Sequence, residues 1–482
     1  MNSRTPNRFQ RSLLPPAVED YVLSNDPVRF YDAFVESLNL EQLGIVISQN
    51  KLGTPEYDPK TMIKILLYSY SYGFRSCRKI ERALHHNLSF RWLAGDIKPN
   101  FRTIARFRKE NADVITQFLK KTGRVCLKLN LIEGNVLFAD GTKIRGNASI
   151  DQSFTAEKLE KKLAALDKKI DDLMQKIETI DEIEATKSSL VEMHKELGTK
   201  EKLKEKISQA LADINKSGKK RINLTDKDSL NFKSRQGAHA GYNAQVVTDE
   251  KHGLIVHAQT AEQNTDIGLL NEVIEQANQN LGEKHDCQTA CADSGYYKVD
   301  DLKALGDKGI EVIVPSQRQA CHQPQPKSFT KEAFIYDEKS NTYTCPVGHQ
   351  LDRIHYQASK KADVYRIKGK SPCPECIFFG QCTSSPQGRT INRMKNEVYK
   401  QQCTAVYASP AGQRTYKRRK EVAELPFGYI KRTLNGGHFL VKGVKAVNAE
   451  LSLMASCFNI RRLITILGGV EEAISFFKTQ FA

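Results

Sequence analysis

No stretch of the sequence approaches the ~18 uninterrupted apolar residues of a membrane-spanning helix, which excludes that class of element. The opening MNSRTPNRFQRSLLPPAVEDY has neither an apolar core nor a small-residue cleavage site. It does not read as a secretory signal, and the expectation is a cytoplasmic, nucleoid-associated chain. Tryptophan is almost absent, and the single one, Trp92, lies among Leu88, Phe90 and Leu93, where it is expected in the core. Acid is scarce relative to base: 73 Lys and Arg against 56 Asp and Glu leave a formal charge of +17. Such a surplus points to a polyanionic partner. Hydrophobic residues at 40% are enough for a core and exclude wholesale disorder. The 11 cysteines are an odd number without an export signal, which favours thiols or metal ligands over a disulfide framework.

The length of 482 residues allows roughly three structural units at ~150 residues each. Residues 60–109 hold 12 Lys and Arg but only two acids, Glu81 and Asp96. Met62, Ile63, Leu66 and Leu67, then Ile80, Leu84 and Leu88, recur at helical spacing. The pattern predicts short helices with basic outer faces, as in helix-turn-helix DNA-binding units. Arg75, Arg78, Lys79, Arg102, Arg106 and Arg108 are the candidate phosphate contacts; a solvated basic surface is the bland alternative.

From Leu159, apolar residues fall at Leu163, Leu166, Ile170, Leu173, Ile177 and Ile180, in steps of 4, 3, 4, 3, 4 and 3. That is a heptad seam. A second seam runs through Leu203, Ile207, Ala210 and Ile214. A break at the DEIEA segment near 181–185, or at Gly198, would let the two arms fold into a hairpin. Around it lie strand patterns: 134–147, which Asp140-Gly141 is expected to break with a turn, then 239–248, 254–260, 287–297 and 311–316. Amphipathic helices are expected after 254–260, starting near Ile267, and at 299–307. The order predicts a mixed α/β sheet. Residues 317–410 interrupt it with Gln, Pro, Ser and a cysteine cluster. The basic run RTYKRRK, in which Arg419 is a further candidate DNA contact, then leads to EVAELPFGYIKR and an apolar helix from about 447 to 466.

Asp140 and Asp293 end two predicted strands, and Glu424 lies beside a basic segment far along the chain. Acids at strand ends of an α/β sheet can converge on a hard cation such as Mg²⁺. Two such ions can activate an attacking oxygen and stabilise a leaving one at phosphorus. Each acid alone could be a turn residue or a surface charge; the combination is more specific than its members. Lys431, seven residues beyond Glu424, falls near the same helical face, and Pro426 implies a helix start or kink there. Cys345 and His349 in CPVGH, Cys373 and Cys376 in CPEC, and Cys382 in GQC form a second constellation. It is compatible with tetrahedral Zn²⁺ held by Cys345, Cys373, Cys376 and either His349 or Cys382, and equally with reduced thiols in a packed insertion. His85-His86 are read as DNA-facing or structural, since neighbours on a helix point about 100° apart.

FADGTKIRGN, ADSGYY and EVAELPFGYIK resemble the three acidic motifs of DDE transposases from bacterial insertion sequences. The basic block at 60–109 resembles that family's DNA-binding region, so the likeness covers most of the chain. It implies a ribonuclease-H-like mixed-sheet core preceded by an all-helical region, 1–125. The core would comprise 130–150, 223–316 and 411–482, split by a coiled-coil hairpin insertion at 151–222 and a Cys-containing insertion at 317–410. The resemblance makes Asp140, Asp293 and Glu424 the triad holding Mg²⁺ or Mn²⁺, with Lys431 completing a Glu-x6-Lys signature. That signature would place Tyr and Arg at positions holding Lys417 and Lys420; Tyr416 and Arg419 are each one residue off. It further implies double-stranded DNA as partner, at least a dimer on two element ends, and cleavage followed by strand transfer. The alternatives are a metal-dependent nuclease without strand transfer and a non-catalytic DNA-binding scaffold.

Overall fold

The basic helices near the N terminus begin at side chains that cap them. In the computed structural model, which describes residues 17–38, 57–181, 187–234, 237–282, 285–320, 329–360 and 362–481, Asp58 accepts from the Thr61 amide at 2.8 Å and opens the helix Pro59–Ser71. Asn100 does the same for Phe101–Glu110, accepting from the Thr103 amide at 2.9 Å. Each cap satisfies an amide that the helix cannot bond internally, worth ~1 kcal/mol. Cys77–His86 and Leu88–Leu93 complete the basic block.

This block shares one apolar cluster with the rest of the chain. Ile65, Leu66 and Tyr70 are packed in the same core as Val447, Leu451 and Met454 of the long helix Val444–Ile466. Arg75 is the polar rivet of that junction. Its guanidinium pairs with Glu450 at 2.8 Å, the two side chains being 3% and 1% exposed, and also donates to the carbonyls of Asn435 and His438. Removing one partner of such a pair leaves a buried charge and costs about 3–5 kcal/mol. The apolar helix near 447–466 is therefore a core helix. Among the described residues, no single helix is long and apolar enough to cross a membrane.

The central sheet has six strands: β1 (Val136–Arg145), β2 (Leu230–Ser234), β3 (Gly237–Asp249), β4 (Ile255–Ala261), β5 (Thr289–Cys291) and β6 (Glu311–Ile313). Their order is β2-β3-β1-β5-β6, with β4 also paired to β3. β1 runs antiparallel to β3 and parallel to β5, and β5 parallel to β6. Helices Leu270–Leu281 and Val299–Gly306 connect β4 to β5 and β5 to β6. The first starts after Ile267, which is exposed rather than part of the apolar face.

Between β1 and β2 the chain forms the expected helical hairpin, Ala156–Asp181 and Lys187–Ser217. The acidic break was expected near 181–185; Asp181 ends the first arm, and residues 182–186 lie outside the described residues. Gly198 does not break the second arm, which runs through it. Leu159, Leu166, Ile170, Ile207, Ala210 and Ile214 bury one another, closed at the base by Ile222 and Leu224, in a cluster separate from the main core. Leu203 departs from the seam, being 43% exposed. Each fully buried Leu or Ile contributes ~1.5–3 kcal/mol, so the hairpin has its own source of cohesion.

Between β6 and the last helices, the cysteine-bearing segment forms a five-stranded antiparallel meander: Ile335–Asp337, Thr342–Thr344, Gln350–Gln357, Ala362–Arg366 and Ile391–Met394. It has a small core of Phe334, Tyr343, Leu351, Tyr365 and Ile391. The helix Glu397–Ala408 follows. Trp92 sits at the margin of the main core: half-buried against it, it stacks under Arg29 and donates to Glu19.

Candidate active site and nucleic-acid face

Asp140 stands inside a strand, where a turn was expected. β1 continues through Asp140-Gly141 to Arg145 because β3 pairs with it throughout, Asp140 opposite Val246 and Gly141 opposite Gln245. On the other edge, parallel pairing with β5 reaches only Phe138 opposite Cys291. The chain then leaves the sheet, and Asp293 caps the turn Ser294–Tyr296, its carboxylate accepting from the Gly295 amide at 2.8 Å. The end of β5 thus opens the notch in which the two acids lie, as ligand sites do beyond the carboxyl ends of parallel strands.

Glu424 arrives on a broken helix. The basic helix Pro410–Val422 stops at Ala423, and Glu424 begins the next, Glu424–Arg432. Pro426 lies in the first turn of that helix, where its missing amide costs no hydrogen bond. Phe138, Cys291, Ile313, Tyr407, Val422 and Ala423 form one buried cluster, which docks this break onto β1, β5 and β6. Packing therefore brings Glu424 close enough to Asp140 for its charge to be felt there.

The electrostatics are those of crowded acids. Asp140 has its carboxyl pushed up to about 6, chiefly by burial; Arg419 opposes the rise, and nearby Asp293 and Glu424 add to it. The Arg419 guanidinium, with its side chain 12% exposed, lies 3.4 Å from Asp140 and 3.1 Å from Glu424. Arg419 is thus turned into the acids rather than out toward a DNA backbone. The interruption at Ala423 lets residues five apart meet. Tyr416 packs edge-on against Tyr407 at 5.0 Å, beneath the Arg419 guanidinium at 5.8 Å.

Lys431 reaches the same notch, donating to the Thr142 hydroxyl. Burial holds its ammonium below the usual lysine range, while Asp140 pulls it up. Thr142 escaped the sequence reading, although period-2 alternation places it on the face of Asp140. Glu421, three residues before Glu424, belongs to the preceding helix and is exposed. Among the described residues, no three His, Cys, Asp or Glu side chains are gathered as a ready metal donor set.

The cysteine constellation lines a single cavity in the small sheet module. Cys345, Cys373, Cys376 and Cys382 surround it together with His349, Phe329 and Phe378. Burial pushes up the Cys382 thiol; Arg389 opposes this, and Cys373, Cys345 and Cys376 add to it. His349 takes part through its backbone, its amide donating to Cys345 Sγ at 3.3 Å, and the residue is exposed. Ten cysteines are free among the described residues.

On the N-terminal block the basic candidates divide by burial. Arg78, Lys79, Arg102 and Arg106 are exposed, with Arg78 and Arg102 flanking the Phe101 ring at 4.8 and 5.8 Å. Arg75 and Arg108 are not phosphate contacts. Arg75 is committed to Glu450, and Arg108 donates to the Tyr70 hydroxyl at 2.7 Å and to the Arg75 carbonyl. Both satisfy groups at the buried junction, a demand invisible in a count of basic residues. His85 and His86 are exposed at the end of Cys77–His86, with ring centroids 6.2 Å apart.

Comparison with known families decides the identity. Residues 16–110 match the family described as "Transposase domain (DUF772)", and residues 344–464 match "Transposase DDE domain". The chain is a DDE transposase of the insertion-sequence kind. No curated protein and no solved structure matches it. The first match spans the basic helices of the transposase, and the second spans Cys345 to Cys382 of the cysteine module, Glu424 and Lys431. Asp140 and Asp293 lie outside both matches, so their place in the site rests on the geometry above. A DDE transposase cleaves and transfers DNA, and the family depends in general on divalent metal.

If the exposed face of the transposase docks on phosphates, Arg102→Ala with Arg106→Ala should reduce the salt slope of duplex-DNA binding by about 2, since each lost phosphate contact withholds ~0.9 counterion. Arg108→Ala should lower stability and leave the slope alone. Binding titrations between 50 and 200 mM salt, the range over which such contacts dominate affinity, make the comparison; an unchanged slope in the double variant would assign the basic face to solvent.

Proposed function

We propose that this transposase cuts the ends of its insertion sequence and joins them to target DNA at one site built from Asp140, Asp293 and Glu424, with Mg²⁺ or Mn²⁺ as the ion. The observation that carries the reading is the guanidinium held between Asp140 and Glu424, beside Asp293: a cation already sits among the three carboxylates. Their oxygens are the donor chemistry of a hard divalent ion, so the residues fit the group in kind, with side-chain movement needed to gather them. The ion would supply activation of the attacking oxygen and stabilisation of the leaving one.

The chain's own residues orient the rest. Lys431, exposed at the rim beside Thr142, is placed to hold a phosphate oxygen next to Asp140. Released from Glu424, Arg419 can pair with a second phosphate oxygen as a planar fork. In the first step water attacks phosphorus and the 3′ oxygen leaves, exposing a hydroxyl at the element end. In the second, that hydroxyl attacks a target phosphodiester, one P–O bond forming as another breaks. The protein forms no covalent bond, so positioning and charge stabilisation supply the catalysis.

The sheet supports a ribonuclease-H-like core, since β1, β3 and β4 are successive antiparallel neighbours, with β2 added at the edge of β3, and β5 and β6 extend the sheet in parallel from β1. On this reading the hairpin and the cysteine module are insertions in the core, within the boundaries given above, and the module holds one structural Zn²⁺. Cys382, inside the ring of thiols, is favoured over exposed His349 as the fourth ligand. Two element ends call for at least a dimer on DNA. The deciding assay incubates the protein, Mg²⁺ and a 3′-labelled element end with plasmid. Transfer of label into the plasmid is expected, and cleavage without joining would reduce the reading to a nuclease.

A further inference from the structure

On the face of the sheet opposite Asp140, a chain of hydrogen bonds, buried at Asn243, Gln245 and Tyr296 and partly exposed at Lys143 and Asp266, ties the strand carrying Asp140 to the turn carrying Asp293. Lys143, also on β1, donates to Asn243 Oδ1 at 2.8 Å and pairs with Asp266 at 3.0 Å. Gln245 Nε2 donates to Asp266 Oδ1 at 2.8 Å and to Asn243 Oδ1 at 2.9 Å. Gln245 Oε1 in turn accepts from the Tyr296 hydroxyl. Tyr296 ends the short turn that Asp293 caps, and is 1% exposed; Gln245 and Asn243 are 2% and 0% exposed.

The circuit closes directly over Gly141, the neighbour of Asp140. A Cβ on Gly141 would stand 2.5 Å from Gln245 Nε2, 2.8 Å from Asp266 Oδ1 and 3.0 Å from the Tyr296 hydroxyl. Any side chain there forces the circuit open, so the Asp-Gly pair is explained by space and not by a turn. Buried networks with their groups satisfied hold their members rigidly.

We propose that Tyr296 is a positioning residue that, through Gln245, Asp266 and Lys143, sets the separation of Asp140 and Asp293, with Gly141 required for the circuit to close. The proposal rests on the assignment of these two acids to the active site. Tyr296→Phe keeps the ring in the core and deletes only the hydroxyl.

The test compares the full-length parent, Tyr296→Phe, Gly141→Ala and Asp293→Asn, each bound to element-end DNA. It reads Mn²⁺ binding by electron paramagnetic resonance, single-turnover cleavage and DNA affinity. Tyr296→Phe should bind DNA like the parent, need several-fold more Mn²⁺ for half-saturation, and cut about 10–100-fold more slowly, in line with small misplacements of reacting groups. Excess Mn²⁺ should recover part of that rate. Gly141→Ala should act in the same direction and more strongly; an insoluble Gly141→Ala leaves the decision to Tyr296→Phe. Parent-like Mn²⁺ affinity and cleavage in Tyr296→Phe, beside an inactive Asp293→Asn, would overturn the circuit alone. Loss of DNA binding along with Mn²⁺ binding in Tyr296→Phe would also overturn it, since the bond would then serve the fold at large. Normal cutting by Asp293→Asn would bring down the active-site assignment itself.

Discussion

Glu424→Gln is expected to lower metal-dependent cleavage by about 10³-fold or more while DNA binding stays near the parent's, because the change keeps the shape and removes a charge the ion needs. Glu421→Gln, one helix earlier and exposed, should cut within a few-fold of the parent, an exposed pairing being worth ~0–1 kcal/mol. Asp140→Asn should be as inactive as Glu424→Gln yet more stable. The Asp140 carboxyl is raised from 3.8 to about 6, so the folded state prefers the neutral form. Below pH 3.8 the acid is protonated folded or unfolded and costs nothing. As pH rises toward 6 the unfolded chain ionises first, and stability is lost; above 6 the loss is complete. Asp140→Asn should therefore gain ~1–3 kcal/mol over the metal-free parent at pH 8 and little at pH 4. Single-turnover cutting and thermal melts at the two pH values measure both effects. Cutting by Glu424→Gln at the parent's rate, with Glu421→Gln inactive, would move the third acid back by one helical turn.

Loss of the proposed zinc ligands should have the second largest effect, and on a different property. Purified transposase should carry about one Zn²⁺ per chain, and Cys373→Ser with Cys376→Ser should remove it. The core of Phe334, Tyr343, Leu351, Tyr365 and Ile391 is small, and small units rely on such staples because they bury little apolar surface. The metal-free variant should therefore show local unfolding of residues 329–394 by hydrogen exchange, with protection of β1 and β3 retained. Elemental analysis reads the first outcome. A metal-free parent with a fully protected module would show that the four thiols pack without an ion.

Much of this organisation was legible because local pattern and global fold agree. The steps of 4 and 3 from Leu159 to Ile177 could bury themselves only in a coiled hairpin, and they do. The strand patterns that became β3, β4 and β6 follow from the same short-range rules. Failures came where a long-range partner overrode a local signal. Asp140-Gly141 has the composition of a turn, but pairing with β3 carries the strand through it. Arg75 and Arg108 have the composition of a DNA face, but Glu450 and Tyr70, hundreds of residues away or on a neighbouring helix, claim them. The strands of the cysteine module were missed because the segment is short-stranded and rich in turn residues, and its pairing is decided by a core assembled from all five strands.

The sequence by itself determined the class of partner through its charge, the three acidic motifs through their resemblance, and the Glu424 to Lys431 spacing on one helical face. Those properties are carried by residue type and by separations of a few positions, which the chain's covalent geometry preserves. Only the tertiary structure decided that Arg419 lies between Asp140 and Glu424, that Arg75 is a buried rivet, and that Gly141 leaves room for the Tyr296 circuit. Each depends on which surfaces come together across more than 40 residues of chain. Burial, charge pairing and hydrogen-bond satisfaction then act between groups that no sequence window contains.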